Sequence, residues 1–232
     1  AGMGGSALPA VIIQSWPRLK MPFEVVRDYQ LPAYVGENTL VIISSYSGNT
    51  EETLSALAEA EKKNAQIVVI ASGGKLADIA REKNYPLFSV PAGIQPRMAT
   101  FYFVSVFAAI VKDLDITVDS LDELKSIGEW LKNETSQWVA EVPLADNVAK
   151  QLATQLAGKT VIMYAGPKLW PAANKWKICF NENAKNTAWA NQYPEFNHNE
   201  FIGWTSHPVE KPFAVVEIRS DQEHERVQKR FE

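Results

Sequence analysis

The sequence predicts an α/β fold with two similar subdomains, each a parallel sheet flanked by helices. Thr39–Ser44 is a nearly unbroken β-branched run, as expected for a strand that is covered on both faces. Strands and helices alternate through the first half of the chain, which is typical of parallel sheets with right-handed crossovers. A strand, a glycine and a helix at Thr160–Lys185 repeat this unit in the second half.

A glycine-rich turn opens the chain and leads into a helix with Leu8 and Val11 on its apolar face. Gly2, Gly4 and Ala7 in this turn match the pattern G-x-G-x-x-A of dinucleotide-binding sites. The match is weak by itself, because no strand precedes it in the sequence. It leaves a dinucleotide-dependent oxidoreductase open as one class of function.

The rest of the first half alternates between apolar strands and helices. Its predicted elements are strands Phe23–Arg27 and Thr39–Ser44, a helix from Glu51, strand Gln66–Ala71, helix Leu76–Lys83, strand Leu87–Val90 and helix Arg97–Leu114. Helix Arg97–Leu114 is apolar on almost every side. We therefore expect it to be buried, either between layers or against another subunit.

The middle of the chain predicts a helical linker, residues 115–158, between a first subdomain at 1–114 and a second at 159–232. Helix Asp119–Val139 carries Leu121, Leu124, Ile127 and Leu131 on one face. The elements predicted after it are helix Asn147–Ala157, strand Thr160–Ala165, a helix from Gly166 to about Lys185, and helix Asp221–Glu232. Both ends of the chain look cut, so we expect a piece of a longer protein with an incomplete second subdomain.

Composition excludes several classes of protein. Lysine and arginine number 23 against 27 acidic residues, and no basic run is present, which argues against nucleic acid as the main partner. The single Cys179 excludes an internal disulfide framework and fits a reducing compartment. No apolar run reaches transmembrane length and we see no signal peptide, so we expect a cytoplasmic protein without a membrane partner.

The loop between strand Thr39–Ser44 and the next helix is the first candidate site. Ser45, Ser47 and Thr50 supply hydroxyl donors, and Gly48 lets a ligand approach the backbone closely. A helix start carries unpaired N–H groups and partial positive charge, so it favours a phosphate. The alternative is an ordinary N-cap, in which a serine or asparagine side chain covers the first amides.

Asn181–Trp204 is the second candidate site, because it mixes acidic residues, a histidine, six asparagines and several aromatic residues. Pockets combine these residue types more often than solvated loops do. Glu182 and His198 form a possible general acid–base pair. The alternative is that Asn197 and Asn199 only cap the next helix and that His198 has no role.

A metal site is a further alternative, with His198, Glu200 and His207 as ligands. Their spacing is not that of a helical pair, and no pattern of supporting residues is visible. The sequence therefore favours acid–base chemistry without a metal.

Six motifs occur in the order of a known family. They are GMGGS at Gly2–Ser6, SYSGNTEET at Ser45–Thr53, SGGKL at Ser72–Leu76, QPR at Gln95–Arg97, NENAK at Asn181–Lys185 and PEFNHNE at Pro194–Glu200. Together they closely resemble the bifunctional phosphoglucose/phosphomannose isomerases, a branch of the sugar isomerase (SIS) domain superfamily. SYSGNT alone indicates only a SIS domain, whereas NENAK with NHNE narrows the resemblance to this branch.

The resemblance implies two SIS subdomains and the reversible interconversion of glucose 6-phosphate and mannose 6-phosphate with fructose 6-phosphate. It implies proton transfer through a cis-enediolate with no metal and no organic cofactor. By motif, Ser45, Ser47 and Thr50 would hold the phosphate, and Gly5 and Ser6 would line the same pocket.

The resemblance also implies three roles in the chemistry. Arg97 would stabilise the charge of the enediolate, and Glu182 would move the proton between C1 and C2. His198 would assist ring opening from the partner subunit of a homodimer. The family's ring-opening lysine belongs to a segment beyond Glu232, and Ala7 stands where the family commonly has a third glycine.

A non-catalytic SIS module that senses a sugar phosphate, as in some regulators, is the rival from another class. It predicts binding without turnover. It would leave the presence of Arg97, Glu182 and His198 unexplained.

Overall fold

The structure is a computed structural model that describes residues 1–16, 18–119, 122–205 and 212–232. It divides into two compact units, Ala1–Asp119 and Ser120–Glu232. Each holds a three-stranded parallel sheet with helices packed against it. This confirms the predicted fold class, while the subdomain boundaries at residues 114 and 158 stay a prediction.

The first unit alternates helices and strands along the chain. Its elements are α1 (Gly4–Ser15), β1 (Leu40–Ser45), α2 (Glu51–Lys62), β2 (Gln66–Ala71), α3 (Gly74–Glu82), β3 (Leu87–Ser89), a 3₁₀ turn (Pro96–Met98) and α4 (Thr100–Asp113). The strands lie in the order β1-β2-β3, all parallel, with Leu40 opposite Gln66 and Val69 opposite Leu87. The predicted strands and helices at these places are confirmed to within a few residues.

Buried aliphatic side chains explain why these segments form a sheet. Ile43 in β1 and Val69 in β2 are fully buried, as a strand covered on both faces requires. Leu57 of α2 and Leu76 of α3 join them in one apolar cluster. The burial of this cluster fixes the first sheet, and with it the loop that follows β1.

Helix α4 packs against α1 with one of its faces. Phe103 and Phe107 on that face are buried, whereas Phe101 is 64% and Tyr102 49% exposed. The helix begins at Thr100 instead of the predicted position 97. Within the first unit it is therefore half covered, and its second apolar face is open.

The predicted strand Phe23–Arg27 is wrong, because this segment forms no strand. The Gly2 N–H donates to the Val26 carbonyl oxygen at 3.0 Å, and a single bond of this kind does not make a ladder. Val26 packs against the apolar cluster of the first unit. The β-branched residues signalled a half-buried surface and not strand pairing.

The loop after β1 and the loop after β2 touch backbone to backbone. A Cβ on Gly48 would lie 1.8 Å from the Gly73 carbonyl oxygen, and one on Gly74 would lie 2.3 Å from the Ser47 carbonyl oxygen. Gly48 has φ +67° and Gly74 has φ +72°, a conformation that side chains disfavour. Only glycine fits at both positions.

The second unit has a more irregular chain path. Its elements are α5 (Leu124–Thr135), 3₁₀ turns Ser136–Trp138 and Leu144–Asp146, α6 (Val148–Leu156), β4 (Thr160–Ala165), α7 (Trp170–Glu182), β5 (Ala188–Gln192), α8 (Glu195–His198), α9 (Glu200–Gly203), β6 (Phe213–Ile218), α10 (Glu225–Gln228) and a 3₁₀ turn Lys229–Phe231. The strands lie in the order β5-β4-β6, all parallel. The central strand β4 has the predicted bounds.

Three expectations for the second unit need correction. Helix Asp119–Val139 is shorter, as α5, and its apolar residues Leu124, Ile127 and Leu131 are not buried, because α5 mainly contacts the adjoining 3₁₀ turn. Leu121 lies outside the described residues. The predicted helix Asp221–Glu232 is instead the short α10 and a 3₁₀ turn.

Helix α7 ends three residues before the predicted Lys185, and the reason is local. Lys185 has φ +55°, which a helix cannot contain, and its Nζ donates to the Glu182 carbonyl oxygen at 2.6 Å.

Within the described ranges, no helix combines the length and the apolar character needed to cross a membrane.

We expect Gly48→Ala to lower the free energy of unfolding by more than about 2 kcal/mol, because it adds a strained φ to a backbone clash. Gly36→Ala is the control, since a Cβ there would meet no atom within 4 Å and should change stability by less than about 0.5 kcal/mol. Urea unfolding measures both values. Equal stability of the two variants would show that the loops can separate at no cost.

Candidate active site

The hydroxyls of the loop after β1 bond to one another and to the loop itself. Ser45 Oγ lies 3.0 Å from Thr50 Oγ1 and accepts from the Gly48 N–H at 3.1 Å. Ser47 is exposed, and its Oγ accepts from the Asn49 N–H at 3.2 Å. The structure therefore brings the three predicted hydroxyl residues into one short loop.

The start of α2 is not capped in the way that the alternative interpretation requires. Thr50 is the N-cap residue, yet its side chain makes no capping bond and contacts Ser45 instead. The side-chain oxygen Oδ1 of Asn49 accepts from the Lys75 N–H at 3.1 Å, in the first turn of α3. The first amides of α2 therefore lack a cap from either residue, as an anion site needs.

Ser6 and Gly5, at the start of α1, belong to the same region. Ser6 Oγ accepts from the Tyr46 N–H at 2.9 Å, and the Ser44 Oγ donates to the Ser6 carbonyl oxygen at 2.9 Å. Ser6 is buried, so its hydroxyl supports the loop from the interior of the first unit. A Cβ on Gly5 would lie 3.3 Å from the Arg97 backbone.

Arg97 is thereby placed beside the same loop. It lies in the 3₁₀ turn before α4, is half-buried, and donates from Nη1 to Gln95 Oε1 at 3.4 Å. The Tyr46 hydroxyl donates to the Pro91 carbonyl oxygen at 3.0 Å and accepts from the Ile94 N–H at 3.0 Å. Tyr46 thus links the hydroxyl loop to the segment that carries the guanidinium.

Sequence reasoning missed the supporting roles of Tyr46, Gly73 and Gly74. Tyr46 is an aromatic residue just after a strand with no evident partner in the sequence, and the partners of its N–H and hydroxyl groups lie 40 to 48 residues away along the chain. The glycine pair was part of a motif, but its contact with Gly48 depends on the register of two strands.

Glu182 and its neighbours lie at the edge of the second sheet where the strands begin. Glu182 is the last residue of α7, and its side chain is exposed within the second unit. The Asn181 Oδ1 accepts from the Ala188 N–H at 2.9 Å, at the start of β5. The Asn186 Nδ2 donates to the Lys159 carbonyl oxygen at 3.1 Å, just before β4.

His198 lies at the opposite edge, where the strands end. The Tyr193 N–H donates to the carbonyl oxygen of Ala165, the last residue of β4, at 2.9 Å. Phe196 stacks on Tyr164 with ring centroids 4.3 Å apart. His198 is the last residue of α8 and is exposed.

Glu182 and His198 are therefore not brought together within one chain. A parallel crossover helix runs back along its sheet, so it starts at one edge and ends at the other. The five residues of β5 separate the two edges, which is roughly 17 Å at about 3.3 Å per residue. The acid–base pair expected from the sequence cannot form inside this unit.

Glu200 is the acidic residue with the most partners near His198. It accepts from the Tyr164 hydroxyl and from Asn191 Nδ2, the latter at 2.6 Å. Asn199 caps α9 through the Glu200 N–H at 2.6 Å, as one alternative predicted. Asn197 does not, because its Oδ1 is buried without a hydrogen-bond partner.

Among the described residues, no three histidine, cysteine or acidic side chains come together as a metal site would need. His207, a ligand in the alternative metal interpretation, lies outside the described residues.

Glu223 is a buried carboxylate that sequence reasoning did not single out. It is 6% exposed, and its Oε1 accepts from the Lys168 N–H at 2.9 Å, in the turn between β4 and α7. A Cβ on Gly166 would lie 2.5 Å from this carboxyl group. The Glu223 carboxyl group therefore fills the strand–glycine–helix turn of the second unit.

Two family models match the chain. The SIS domain matches residues 10–107, and the bacterial phospho-glucose isomerase C-terminal SIS domain matches residues 145–232.

Solved structures share the fold. The C-terminal domain of glucosamine-fructose-6-phosphate aminotransferase from Francisella tularensis superposes with a TM-score of 0.69 at 19% identity, over 99% of this chain and 66% of that one. Tagatose-6-phosphate ketose/aldose isomerase from Escherichia coli gives 0.68 at 20%, over 98% and 62%.

Three relatives are similar over nearly the whole chain. A bifunctional phosphoglucose/phosphomannose isomerase from Caldicellulosiruptor bescii is 37% identical, over 97% of this chain and 68% of the relative. One from Aquifex aeolicus is 33% identical, over 100% and 69%. A D-glucosamine-6-phosphate 4-epimerase from Sulfolobus acidocaldarius is 34% identical, over 95% and 68%. With its two SIS-type units, this chain belongs to the family of bifunctional phosphoglucose/phosphomannose isomerases.

Proposed function

We propose that this protein interconverts glucose 6-phosphate and mannose 6-phosphate with fructose 6-phosphate, by metal-free proton transfer through a cis-enediolate. The observation that carries the proposal is the hydroxyl loop beside Arg97 in the first unit, in a chain 37% identical to an isomerase of that name. The reaction needs an anchor for the phosphate, a base, and a cation near the charge that develops.

The phosphate would bind at the loop after β1. Ser45, Ser47 and Thr50 offer three hydroxyls within six residues, next to uncapped amides at the start of α2. The helix dipole adds positive potential at the same place. Gly5 and Ser6 would line this pocket, with Ser6 holding the loop through the Tyr46 N–H.

Arg97 would stabilise the intermediate. In the aldose-to-ketose direction the C2 proton leaves, its electron pair forms the C1=C2 bond, and negative charge moves onto O1. The O2 proton then passes to O1, C2 becomes the carbonyl, and C1 receives a proton. The Arg97 backbone lies against Gly5 at the start of α1, and from there the guanidinium would pair with that charge throughout.

Glu182 would be the base that takes the proton at C2 and returns it at C1. It ends a helix that is packed along β4 and β5, so its backbone position is fixed. The flanking amides of Asn181 and Asn183 add no competing charge. Abstraction from glucose and from mannose requires opposite faces at C2, so the substrate would have to rotate about C2–C3.

His198 would assist ring opening, and we propose that it acts in the partner subunit of a homodimer. Two observations support this arrangement. Glu182 and His198 lie at opposite edges of the second sheet, and both are exposed. Helix α4 and the turn before it also present an open apolar face with Met98, Phe101 and Tyr102.

A cytoplasmic location and a role in glycolysis and gluconeogenesis are part of the proposal. The single half-buried Cys179 fits a reducing compartment. We propose no cofactor and no nucleic acid or membrane partner.

The non-catalytic SIS sensor remains the alternative function, and the 34% identity to a glucosamine 6-phosphate epimerase adds a second substrate to test. A coupled assay on fructose 6-phosphate and a parallel assay on glucosamine 6-phosphate, each with a chelator present, separate these functions. Isomerase activity supports the proposal. Binding without turnover supports the sensor, and turnover of glucosamine 6-phosphate alone supports an epimerase.

We expect Ser47→Ala and Thr50→Ala each to weaken binding of fructose 6-phosphate about tenfold to a hundredfold. Each variant loses a charge-assisted hydrogen bond to phosphate, worth roughly 1.5–3 kcal/mol. Calorimetric titration measures the affinity. Ser126→Ala, an exposed serine of α5 that bonds only within its own turn, is the control. Unchanged affinity in both loop variants would mean that the phosphate binds elsewhere.

We expect Glu182→Gln to lower kcat about a hundredfold or more while phosphate affinity stays the same, because the amide keeps the shape but cannot accept the proton. In D₂O the wild type should place deuterium on the product carbon. Mass spectrometry measures this label. Glu129→Gln, an exposed residue of α5, is the control. Full retention of the substrate hydrogen, together with inhibition by EDTA, would indicate a metal-assisted hydride shift instead.

We expect a homodimer whose interface buries more than roughly 2,000 Å². A purified heterodimer of one His198→Ala subunit and one Glu182→Gln subunit should keep about half of the wild-type activity, since one of its two sites has both residues. Sedimentation measures the assembly and the coupled assay its activity. A fully active monomer at micromolar concentration would refute the shared site.

A further inference from the structure

His198 is exposed, but the residues on both sides of it are anchored to the second sheet. Phe196 precedes it by two positions and is buried. Glu200 follows it by two positions and is half-buried. The histidine therefore projects from a turn that is tied down at both ends.

The anchor before His198 is aromatic. The Phe196 ring lies 4.3 Å from the Tyr164 ring and 5.2 Å from the Tyr193 ring, measured between centroids. Tyr164 belongs to the central strand β4 and is fully buried. Contacts of this type fix where α8 lies on the sheet, but they leave rotation of the following turn open.

The anchor after His198 is polar and directional. The Glu200 carboxylate accepts from the Tyr164 hydroxyl on one oxygen and from Asn191 Nδ2 on the other, at 2.6 Å for the latter. The Trp204 Nε1–H donates to the same tyrosine hydroxyl at 3.2 Å. Burial, and next the bond to Glu200, raise the pKa of Tyr164, so its hydroxyl stays a donor.

We propose that Glu200 is a positioning residue for His198. It fixes the turn between α8 and α9 by a two-point bond to strands β4 and β5, and so sets the direction in which the imidazole leaves the surface. The inference rests on the proposed function, in which His198 must reach a substrate held by another subunit.

Geometry explains why the exposed histidine needs such a bond. A side chain that works at a distance from its own core loses efficiency when its backbone shifts by about 1 Å. Phe196 alone constrains one side of the turn. The carboxylate adds two hydrogen bonds from different strands, and a fork of this kind resists rotation.

The test compares three variants in the full chain. Glu200→Gln keeps the shape of the side chain. It places an N–H donor, instead of an acceptor oxygen, opposite the Asn191 Nδ2 donor. The double variant Glu200→Gln/Asn191→Asp reverses that pair and restores the bond. Glu195→Gln is the control, because Glu195 accepts from Asn199 Nδ2 at 2.8 Å within the turn and has no bond to the sheet.

The first measurement is the NMR signal of the imidazole C–H groups, assigned by His198→Ala. We expect Glu200→Gln to shift or broaden the His198 signal, the double variant to restore it, and Glu195→Gln to leave it in place. The signal of His224, the N-cap residue of α10, is the internal reference. If Glu200→Gln does not fold, Tyr164→Phe removes the other donor to the Glu200 carboxylate and should move the same signal.

The second measurement is steady-state kinetics on fructose 6-phosphate. We expect Glu200→Gln to lower kcat about tenfold with KM changed less than about twofold, and the double variant to recover most of the loss. An unmoved His198 signal in Glu200→Gln and Tyr164→Phe, or a loss of activity that the double variant does not recover, overturns the proposal. A wild type without turnover would reject the proposed function, whereas the NMR comparison would still decide the role of Glu200.

Discussion

The contact between two glycine loops is the constraint on which the candidate site depends. Gly48 and Gly73 can touch only because β1 and β2 are parallel neighbours whose ends lie at the same edge. That contact closes one side of the hydroxyl loop, and the bond from the Tyr46 N–H to Ser6 closes the other. The loop is therefore shaped by the sheet as well as by the bonds that its own Ser45, Ser47 and Asn49 side chains accept.

The amino-acid sequence predicts the parts of this protein that depend on local pattern. Strand β4 has the expected bounds because its apolar run is continuous, and the hydroxyl loop is visible because its residues are adjacent. Strand β5 was missed, since Ala188–Gln192 is polar at one end and gains its pairing from β4. Phe23–Arg27 failed in the opposite way, with β-branched residues but no ladder. The link from Tyr46 to Ser6 spans 40 residues and has no local signature.

The distance between Glu182 and His198 follows from topology and not from side-chain chemistry. Helix α7 must run against the direction of β4 and β5, so a residue at its end and a residue after β5 lie at opposite edges. Motifs in a sequence carry no information on this separation. The hydrogen bonds of Asn186 and Tyr193 show that Glu182 lies where the strands begin and His198 where they end.

The buried carboxylate of Glu223 makes the two repeated units unequal. In the first unit, the turn from strand to helix holds neutral hydroxyls and uncapped amides. In the second unit, Glu223 occupies the corresponding turn, bonds to the Lys168 N–H and fits against Gly166. An anion arriving there would meet a fixed negative charge in a space already filled. Under the proposed function, each chain would therefore bind one sugar phosphate, at the first unit, while the corresponding turn of the second unit would serve the fold alone.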